Sequence, residues 1–229
     1  MCGRFTLTEP AAEALAQELG VPVESLSNYR PRYNIAPTDD HWIVRMKYEE
    51  RELLPARWGL VNSWAKDRSR AARQINARSE TAHQTPAFNN AFAQRRCVIP
   101  ADGFFEWVGA KQARKPVWYH RPDGGLLLFA GLYESWQREP GQWERTFTIL
   151  TTEANQVVAD VHDRMPVILP DERVDAWLYQ SREDLEELRS LLSPAPEELL
   201  IATYVSPRAN SVKNDDPGIL EEAAQPELA

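Results

Sequence analysis

Two stretches of the chain decide the fold: Leu126-Leu-Leu-Phe-Ala-Gly-Leu-Tyr133 and Thr146-Phe-Thr-Ile-Leu-Thr151. Both are rich in β-branched, aromatic or aliphatic residues and contain few polar ones, which is typical of strands that pack in a core. Shorter stretches of the same character lie between turn residues elsewhere in the chain. They predict further strands at 41–46, 98–100, 117–120 and 200–205.

Helical patterns are fewer and lie between the strands. Thr8, Pro10 and Gly20 frame an Ala-rich segment, which predicts a short helix with a cap at its start and a left-handed residue at its end. A loop is expected from there to Pro37. Further helices are predicted at 88–95, 153–161 and 170–192, the last with a break near Ser181.

This order of elements shows no strict alternation of strand and helix, so it favours an α+β fold over a doubly wound one. We expect a single domain over residues 1–229, with a twisted, mostly antiparallel sheet and helices packed around it. A chain of 229 residues that is 43% hydrophobic is long enough to bury one sizeable core. The acidic segment from about residue 214 to the end is expected to be frayed.

The formal net charge of −8 argues at first against a nucleic-acid partner. The acidity, however, is concentrated at one end, because residues 171–229 carry 14 acidic side chains against 5 basic ones. Between Lys66 and Arg96, seven bases face two acids. This stretch is either a phosphate-binding face or a solvated surface, and charge alone slightly favours the solvated surface.

The two cysteines, Cys2 and Cys97, lie too far apart for a short metal-ligand spacing, and a chain of this size does not need a lone disulfide. We therefore expect reduced thiols, no metal and no cofactor. No run of about 18 apolar residues is present, and the first residues do not resemble a signal peptide. A soluble intracellular protein that does not bind membranes, cytoplasmic in a bacterium, is the expectation.

Cys2 is the most informative residue for chemistry. A small side chain at position 2 permits removal of Met1, which leaves an α-amine and a thiol on the same residue. Their pKa values of about 8 and about 8.5 leave useful fractions of both unprotonated at neutral pH. An aldehyde is their natural target, because the amine forms a Schiff base and the thiol then closes a five-membered thiazolidine.

Seven motifs accompany this residue in order along the chain. They resemble those of the SOS-response-associated peptidase (SRAP) family, whose members cross-link abasic sites, and the resemblance runs from residue 1 to about Val212. The motifs are Met1-Cys-Gly-Arg-Phe5, Tyr33-Asn-Ile-Ala-Pro37, Trp58-Gly-Leu60, Asn76-Ala-Arg-Ser-Glu80, Gly103-Phe-Phe-Glu-Trp107, Phe129-Ala-Gly-Leu132 and His162-Asp-Arg-Met-Pro166.

The resemblance implies a single α+β domain with a β-barrel-like core. It also implies a DNA-damage-response function, in which the protein shields an abasic site in single-stranded DNA through a covalent thiazolidine on Cys2. Self-cross-linking, with lyase activity as a further expectation, would be its enzymatic character. A monomer is expected, with the replication machinery as a further partner.

The resemblance also implies roles for particular residues. Asn76 would hold the opened sugar beside Cys2, Glu106 would act as acid/base near the amine, and His162 would assist in ring opening and in reversal of the cross-link. Trp107 follows Glu106 and would stack on a base, with Trp58 and Trp64 as further stacking candidates. Arginines that would contact DNA phosphates are Arg4, Arg78 and Arg164.

Considered without the resemblance, the same residues favour simpler roles. Asn76 would cap a turn, His162 would be structural, and Glu106 would be an outward-facing strand residue, because burying a carboxylate is costly unless it is paired or protonated. Cys97 reads as a small buried hydrophobe.

Two other functions compete with cross-linking. One is a cysteine peptidase with Cys2 as nucleophile and His162 as base, although only Met1 precedes Cys2 and self-processing is unnecessary. The other is a non-catalytic reader of modified bases, for which arginines and aromatic residues suffice.

Overall fold

A computed structural model describes residues 2–110, 113–179 and 185–225 of the chain. Its helices are α1 Ala12–Leu19, α2 Asn89–Gln94, α3 Gln156–Ala159, α4 Val174–Leu178 and α5 Leu185–Ser190. Its strands are β1 Phe5–Leu7, β2 Arg32–Ile35, β3 Asp40–Lys47, β4 Glu50–Trp58, β5 Asn76–Arg78, β6 Arg96–Ala101, β7 Gly103–Val108, β8 Lys115–His120, β9 Leu127–Glu139, β10 Gln142–Glu153, β11 Arg164–Pro166, β12 Ile168–Leu169 and β13 Ile201–Tyr204.

The strands of the larger sheet close on themselves. The order β10-β4-β3-β6-β9 returns to β10, because β9 pairs with β6 on one edge and with β10 on the other. Strand β10 runs parallel to β4 and β5, while the other pairings of this sheet are antiparallel. The prediction of a mostly antiparallel, barrel-like core in an α+β domain is therefore confirmed.

The smaller sheet brings the start of the chain next to its middle. Its strand order is β13-β8-β7-β1-β2, and β1 lies between β7 and β2. Phe5 pairs with Phe104, and the Phe105 amide donates to the Arg4 carbonyl at 3.0 Å. This pairing places the residues just before Phe5 beside the strand that carries Glu106.

The Phe129-Ala-Gly-Leu132 motif has a packing reason. Gly131 lies where β9 is enclosed by β6 and β10, and a Cβ built on it would lie 2.2 Å from Ile99 Cδ1 and 2.8 Å from the Thr148 carbonyl oxygen. Neither distance is compatible with van der Waals contact. Only glycine allows the three strands to approach this closely.

We expect Gly131→Ala to lower the free energy of unfolding by about 1–3 kcal/mol, the usual cost of overpacking a core. Urea unfolding followed by far-ultraviolet circular dichroism measures it. An unchanged unfolding midpoint and slope would show that the barrel relaxes at this point without cost.

Several element predictions are confirmed and others are wrong. Gly20 ends α1 with a φ of 66°, as expected, but α1 begins at Ala12 and Thr8 does not cap it. Thr8 instead donates to the buried Asp102 carboxylate. The predicted loop up to Pro37 contains β2, and the helix predicted at 153–161 is only the four residues of α3. The break predicted near Ser181 lies outside the described residues.

The acidic C-terminal segment is not frayed from residue 214. Ile219 is fully buried with Phe105 and Val205 in a small second core on the outer face of the smaller sheet. The Ala223 amide donates to the Tyr204 carbonyl at 2.8 Å, and Glu222 forms a β-bridge with Val205. The segment is therefore packed at least as far as Ala223. Although it is acidic in composition, apolar residues such as Ile219 supply its contacts.

Among the described residues, no helix has the length and apolar character that crossing a bilayer requires.

Candidate active site and DNA-facing surface

Cys2 lies at the centre of the site. Its side chain is fully buried, and its Sγ donates a weak hydrogen bond to the Arg4 carbonyl at 3.8 Å. The Asn76 Nδ2 donates to the Cys2 carbonyl at 2.7 Å. Because Asn76 begins β5, which is held in register by β10, this hydrogen bond connects Cys2 to the barrel.

The oxygen of the same Asn76 side-chain amide is an acceptor without a partner. Within the described part of the chain, Asn76 Oδ1 is buried and accepts no hydrogen bond. A buried acceptor without a donor is costly, and such atoms are rare in native interiors. A donor supplied by a ligand, such as a sugar hydroxyl or an amine, would satisfy this oxygen.

Glu106 points inward, not outward as its sequence context alone predicted. It is 5% exposed on β7 and lies on the face that carries Phe104 in the main core. Burial raises the pKa of the Glu106 carboxyl above its usual value, while the nearby charge of His162 acts in the opposite direction. A carboxyl with a pKa raised in this way holds a proton more readily than an ordinary one.

His162 lies in the turn between α3 and β11, and its ring is oriented by its neighbours. The Arg164 amide donates to His162 Nδ1 at 2.9 Å. In the neutral imidazole the proton therefore lies on Nε2, so that this nitrogen is the donor. The Asp163 carboxylate also lies 3.0 Å from Nδ1.

The Cys2 thiol is not activated in this arrangement. Burial is the larger cause and the nearby Glu106 carboxylate the second, and together they raise the pKa of the Cys2 thiol well above its ordinary value. The sulfur is therefore held as a neutral thiol. The structure thus brings together Cys2, Asn76, Glu106 and His162, the four residues for which catalytic roles were predicted.

The predicted DNA-contacting arginines have different environments. Arg78 is exposed and is the last residue of β5, the strand whose Asn76 binds Cys2. Arg164 is buried, and its guanidinium forms a bidentate ion pair with Glu80 at 2.6 and 2.9 Å and a hydrogen bond to the Thr151 carbonyl. The Arg164 guanidinium is therefore already neutralised by Glu80, whereas Arg78 is exposed to solvent.

Arg4 and Trp107 lie together on the outer face of the smaller sheet. Successive side chains of β7 alternate between faces, so Trp107 points away from Glu106. The Arg4 guanidinium lies 5.5 Å from the centroid of the Trp107 ring, and its Nη1 donates to Asn34 Oδ1 at 2.8 Å. Arg4 thus has a structural role beside the one predicted for it.

The basic stretch from Lys66 to Arg96 is only partly available to DNA. Arg96 is fully buried and donates to backbone carbonyls, Arg95 pairs with Glu134, and Arg68 pairs with Glu144. Lys66, Arg70, Arg73 and Arg78 are exposed.

Of the further stacking candidates, Trp64 is 66% exposed, and it lines a cavity of about 330 Å³ with Lys66 and Arg70. Trp58 is fully buried and donates to the Ile75 carbonyl at 2.8 Å, so that candidate was wrong.

Three contributors were missed by sequence reasoning. Glu80 neutralises Arg164, Thr151 supplies a carbonyl to the same guanidinium, and Asn210 receives the Trp107 indole N–H at 2.7 Å. Glu80 offered a signal, since it is one of two acids in the basic stretch. Thr151 and Asn210 offered none, because their contacts depend on chain segments distant in sequence.

The chain is similar to a known protein family and to named proteins over most of its length. The family described as SOS response associated peptidase (SRAP) matches residues 1–212. The abasic site processing protein YoqW of Bacillus subtilis is 38% identical over 222 residues, covering 96% of this chain and 99% of that protein. The abasic site processing protein HMCES of Gallus gallus is 31% identical over 224 residues, covering 84% of this chain and 66% of that protein.

Solved structures share the fold. A crystal structure of a protein from Bacteroides thetaiotaomicron has a TM-score of 0.85 and 25% identity, covering 97% of this chain and all (100%) of that one. A crystal structure of a protein from Bordetella bronchiseptica has a TM-score of 0.73 and 28% identity, covering 90% of this chain and 100% of that one.

Proposed function

Because the chain belongs to the SOS response associated peptidase (SRAP) family, we propose that it is an abasic-site processing protein that joins itself to DNA through Cys2. The observation that carries the proposal is the meeting of Cys2 with Asn76 and Glu106 in one buried site. Several curated relatives are named abasic site processing proteins, which supports the assignment. The substrate is the ring-opened aldehyde sugar of an abasic site in single-stranded DNA.

The reaction begins at nitrogen, not at sulfur. Removal of Met1 frees the Cys2 α-amine, while the thiol stays protonated because its pKa is raised by burial and by Glu106. The amine attacks the aldehyde carbon and water leaves, giving an imine. The thiol then adds to the imine carbon, and its proton passes to the imine nitrogen, which closes the thiazolidine. One water is lost overall.

Three side chains move or hold the protons and the sugar. The buried Glu106 carboxyl takes a proton from the amine and returns it to the departing water. His162 donates from Nε2 to the sugar oxygen as the ring opens, because its Nδ1 is occupied by the Arg164 amide. Asn76 Oδ1 accepts from a sugar hydroxyl and so fixes the carbon under attack.

The DNA strand follows the exposed groups around this site. Arg78 binds a phosphate beside the lesion, and Trp107 stacks on a neighbouring base. Arg164 can bind a phosphate only if its ion pair with Glu80 breaks. A stacked duplex would hide both the sugar and the base, so single-stranded DNA is the expected form. Lys66 and Arg70, beside the exposed Trp64, extend the basic surface.

The acid–base state of Cys2 argues against the two competing functions. A cysteine peptidase needs a thiol with a lowered pKa, whereas burial and Glu106 raise the pKa of this one. A non-catalytic reader needs no titratable carboxyl next to its N-terminus. A buried carboxyl whose pKa is raised by burial is instead typical of a site that transfers protons.

Intact-mass spectrometry tests the proposed function. Protein lacking Met1 is mixed with a single-stranded oligonucleotide that carries an abasic site, and the expected adduct has the summed mass of the two less one water. Absence of any adduct, or an adduct that forms equally well with an oligonucleotide lacking the lesion, would refute the proposal.

The surface assignment gives a separate prediction for Arg78. We expect Arg78→Ala to weaken binding to all single-stranded sequences alike and to reduce the slope of log K against log salt by about 1, because one phosphate contact is lost. Fluorescence anisotropy over a salt series measures this. Arg121→Ala, which removes an arginine paired with Asp123 on another loop, is the matched control and should change neither quantity. An unchanged slope for Arg78→Ala would remove this residue from the DNA path.

A further inference from the structure

The indole of Trp107 is held by a segment far away in sequence, here called the C-terminal strap and defined as residues 207–216. Trp107 Nε1 donates to Asn210 Oδ1 at 2.7 Å. Asn210 Nδ2 in turn donates to the Arg114 carbonyl at 3.1 Å, just before β8. Both the oxygen and the nitrogen of the Asn210 side-chain amide therefore form hydrogen bonds. They link the strap to the hairpin of β7 and β8.

Ala209, the strap residue before Asn210, is linked to the Trp107 ring through Arg4. Arg4 Nη1 donates to the Ala209 carbonyl at 3.2 Å, and the Arg4 guanidinium lies over the Trp107 ring. Asn210 thus binds the indole N–H of Trp107, and Ala209 binds the Arg4 guanidinium that lies over the ring.

Hydrogen bonds hold the strap in place on the smaller sheet, so it can fix the position of the Trp107 ring. Asn34, 1% exposed, donates from Nδ2 to the carbonyls of Ser211 at 3.0 Å and Asn214 at 2.8 Å. Asp215 accepts from the backbone amides of Tyr33 and Asn34 at 2.6 and 2.9 Å. These contacts fix the strap to β2, the edge strand of the smaller sheet.

We propose that Asn210 is a positioning residue that sets the orientation of Trp107 for stacking on the base next to the lesion. The inference rests on the stacking role given to Trp107 in the proposed function. A half-buried indole on a sheet surface can occupy several rotamers, and holding one of them before DNA arrives removes that ordering cost from binding. Asn210 acts through Trp107 and does not touch the reacting atoms.

The test separates binding from chemistry. Binding is measured with an oligonucleotide that carries a tetrahydrofuran analogue of the abasic site, which has no aldehyde and cannot react. Asn210→Ala should raise the Kd for this oligonucleotide about fivefold, the effect of one ordinary hydrogen bond. The cross-linking rate at saturating abasic DNA should stay at the wild-type value, because Cys2, Asn76 and Glu106 are untouched.

A double-mutant cycle shows whether the effect passes through the indole N–H. Trp107→Phe keeps an aromatic ring but lacks the donor, so adding Asn210→Ala to it should change the Kd no further. The matched control is Asn214→Ala, which removes another side-chain amide of the strap, bonded to the Arg208 carbonyl and not to Trp107. This control should bind like the wild type.

Each other outcome counts against the inference. An equal loss from Asn210→Ala in the wild-type and Trp107→Phe backgrounds, or from Asn214→Ala, would make the strap a general stabiliser instead. If Trp107→Ala weakens binding but Asn210→Ala does not, the inference alone is overturned. If Trp107→Ala leaves the Kd unchanged, the stacking role fails and the inference with it, while the chemistry at Cys2 stands on its own adduct test.

Discussion

Replacing Cys2 with alanine should abolish the thiazolidine completely. The variant keeps an α-amine after Met1 is removed, so it can form an imine with the abasic sugar, but it has no sulfur to close the ring. An imine hydrolyses, whereas the thiazolidine survives heating. Intact-mass analysis after heating should therefore show adduct for the wild type and none for Cys2→Ala.

The chain offers a matched control for this experiment. Cys97 is as fully buried as Cys2 but lies on β6 in the barrel wall, and Cys97→Ala should retain cross-linking. A second control keeps Met1 in place and should react no better than Cys2→Ala, because the amine is then part of a peptide bond. A heat-stable adduct of normal yield from Cys2→Ala would show that another nucleophile carries the reaction.

Glu106→Gln should slow cross-linking by about 10²- to 10⁴-fold, the range that a placed acid or base contributes. Glutamine fills the same volume but cannot take the proton from the amine or return it to the leaving water. Because burial raises the pKa of Glu106, its protonated form persists above the usual carboxyl range. Since only the carboxylate form can take the proton from the amine, the ratio of wild-type to variant rate should rise as pH rises through that raised pKa.

Time courses with one abasic oligonucleotide, quenched and resolved on a denaturing gel, give the two rates. Glu153→Gln is the matched control, since Glu153 is an exposed carboxylate at the end of β10 and should leave the rate unchanged. If Glu106→Gln, shown to be folded, reacts at the wild-type rate at every pH, Cys2 acts by proximity alone and Glu106 leaves the mechanism.

Local sequence reasoning predicted four of the five strands that close the barrel, because strands such as β9 and β10 are strongly apolar runs. It missed the fifth, β4, whose sequence Glu50–Trp58 contains four charged residues and a proline. It also missed β1 and β2, which are three and four residues long. Strands so short show no periodicity, and their pairing depends on β7 and the C-terminal segment. The same non-local dependence explains why residues 214–223, acidic in composition, are packed and not frayed.

For the site, the motifs identified the residues but not their surroundings. Nothing local distinguishes an inward from an outward Glu106, since that depends on which face of β7 meets the barrel. Arg78 and Arg164 look alike in sequence, yet only Arg164 has a buried carboxylate-paired environment, supplied by Glu80 from another strand end. Charge pairing across such separations is a property of the fold, and a single sequence does not display it.

The burial of Cys2 also orders events during protein synthesis. The N-terminal residues leave the ribosome first, but the residues of the site extend to His162, which at ordinary elongation rates emerges about 10 to 30 s later. During that interval the nascent N-terminus is extended and open to the aminopeptidase that removes Met1. Once β1 is inserted between β7 and β2, that access is lost. For the proposed function, we therefore expect Met1 to be removed during translation, before the site around Cys2 has formed.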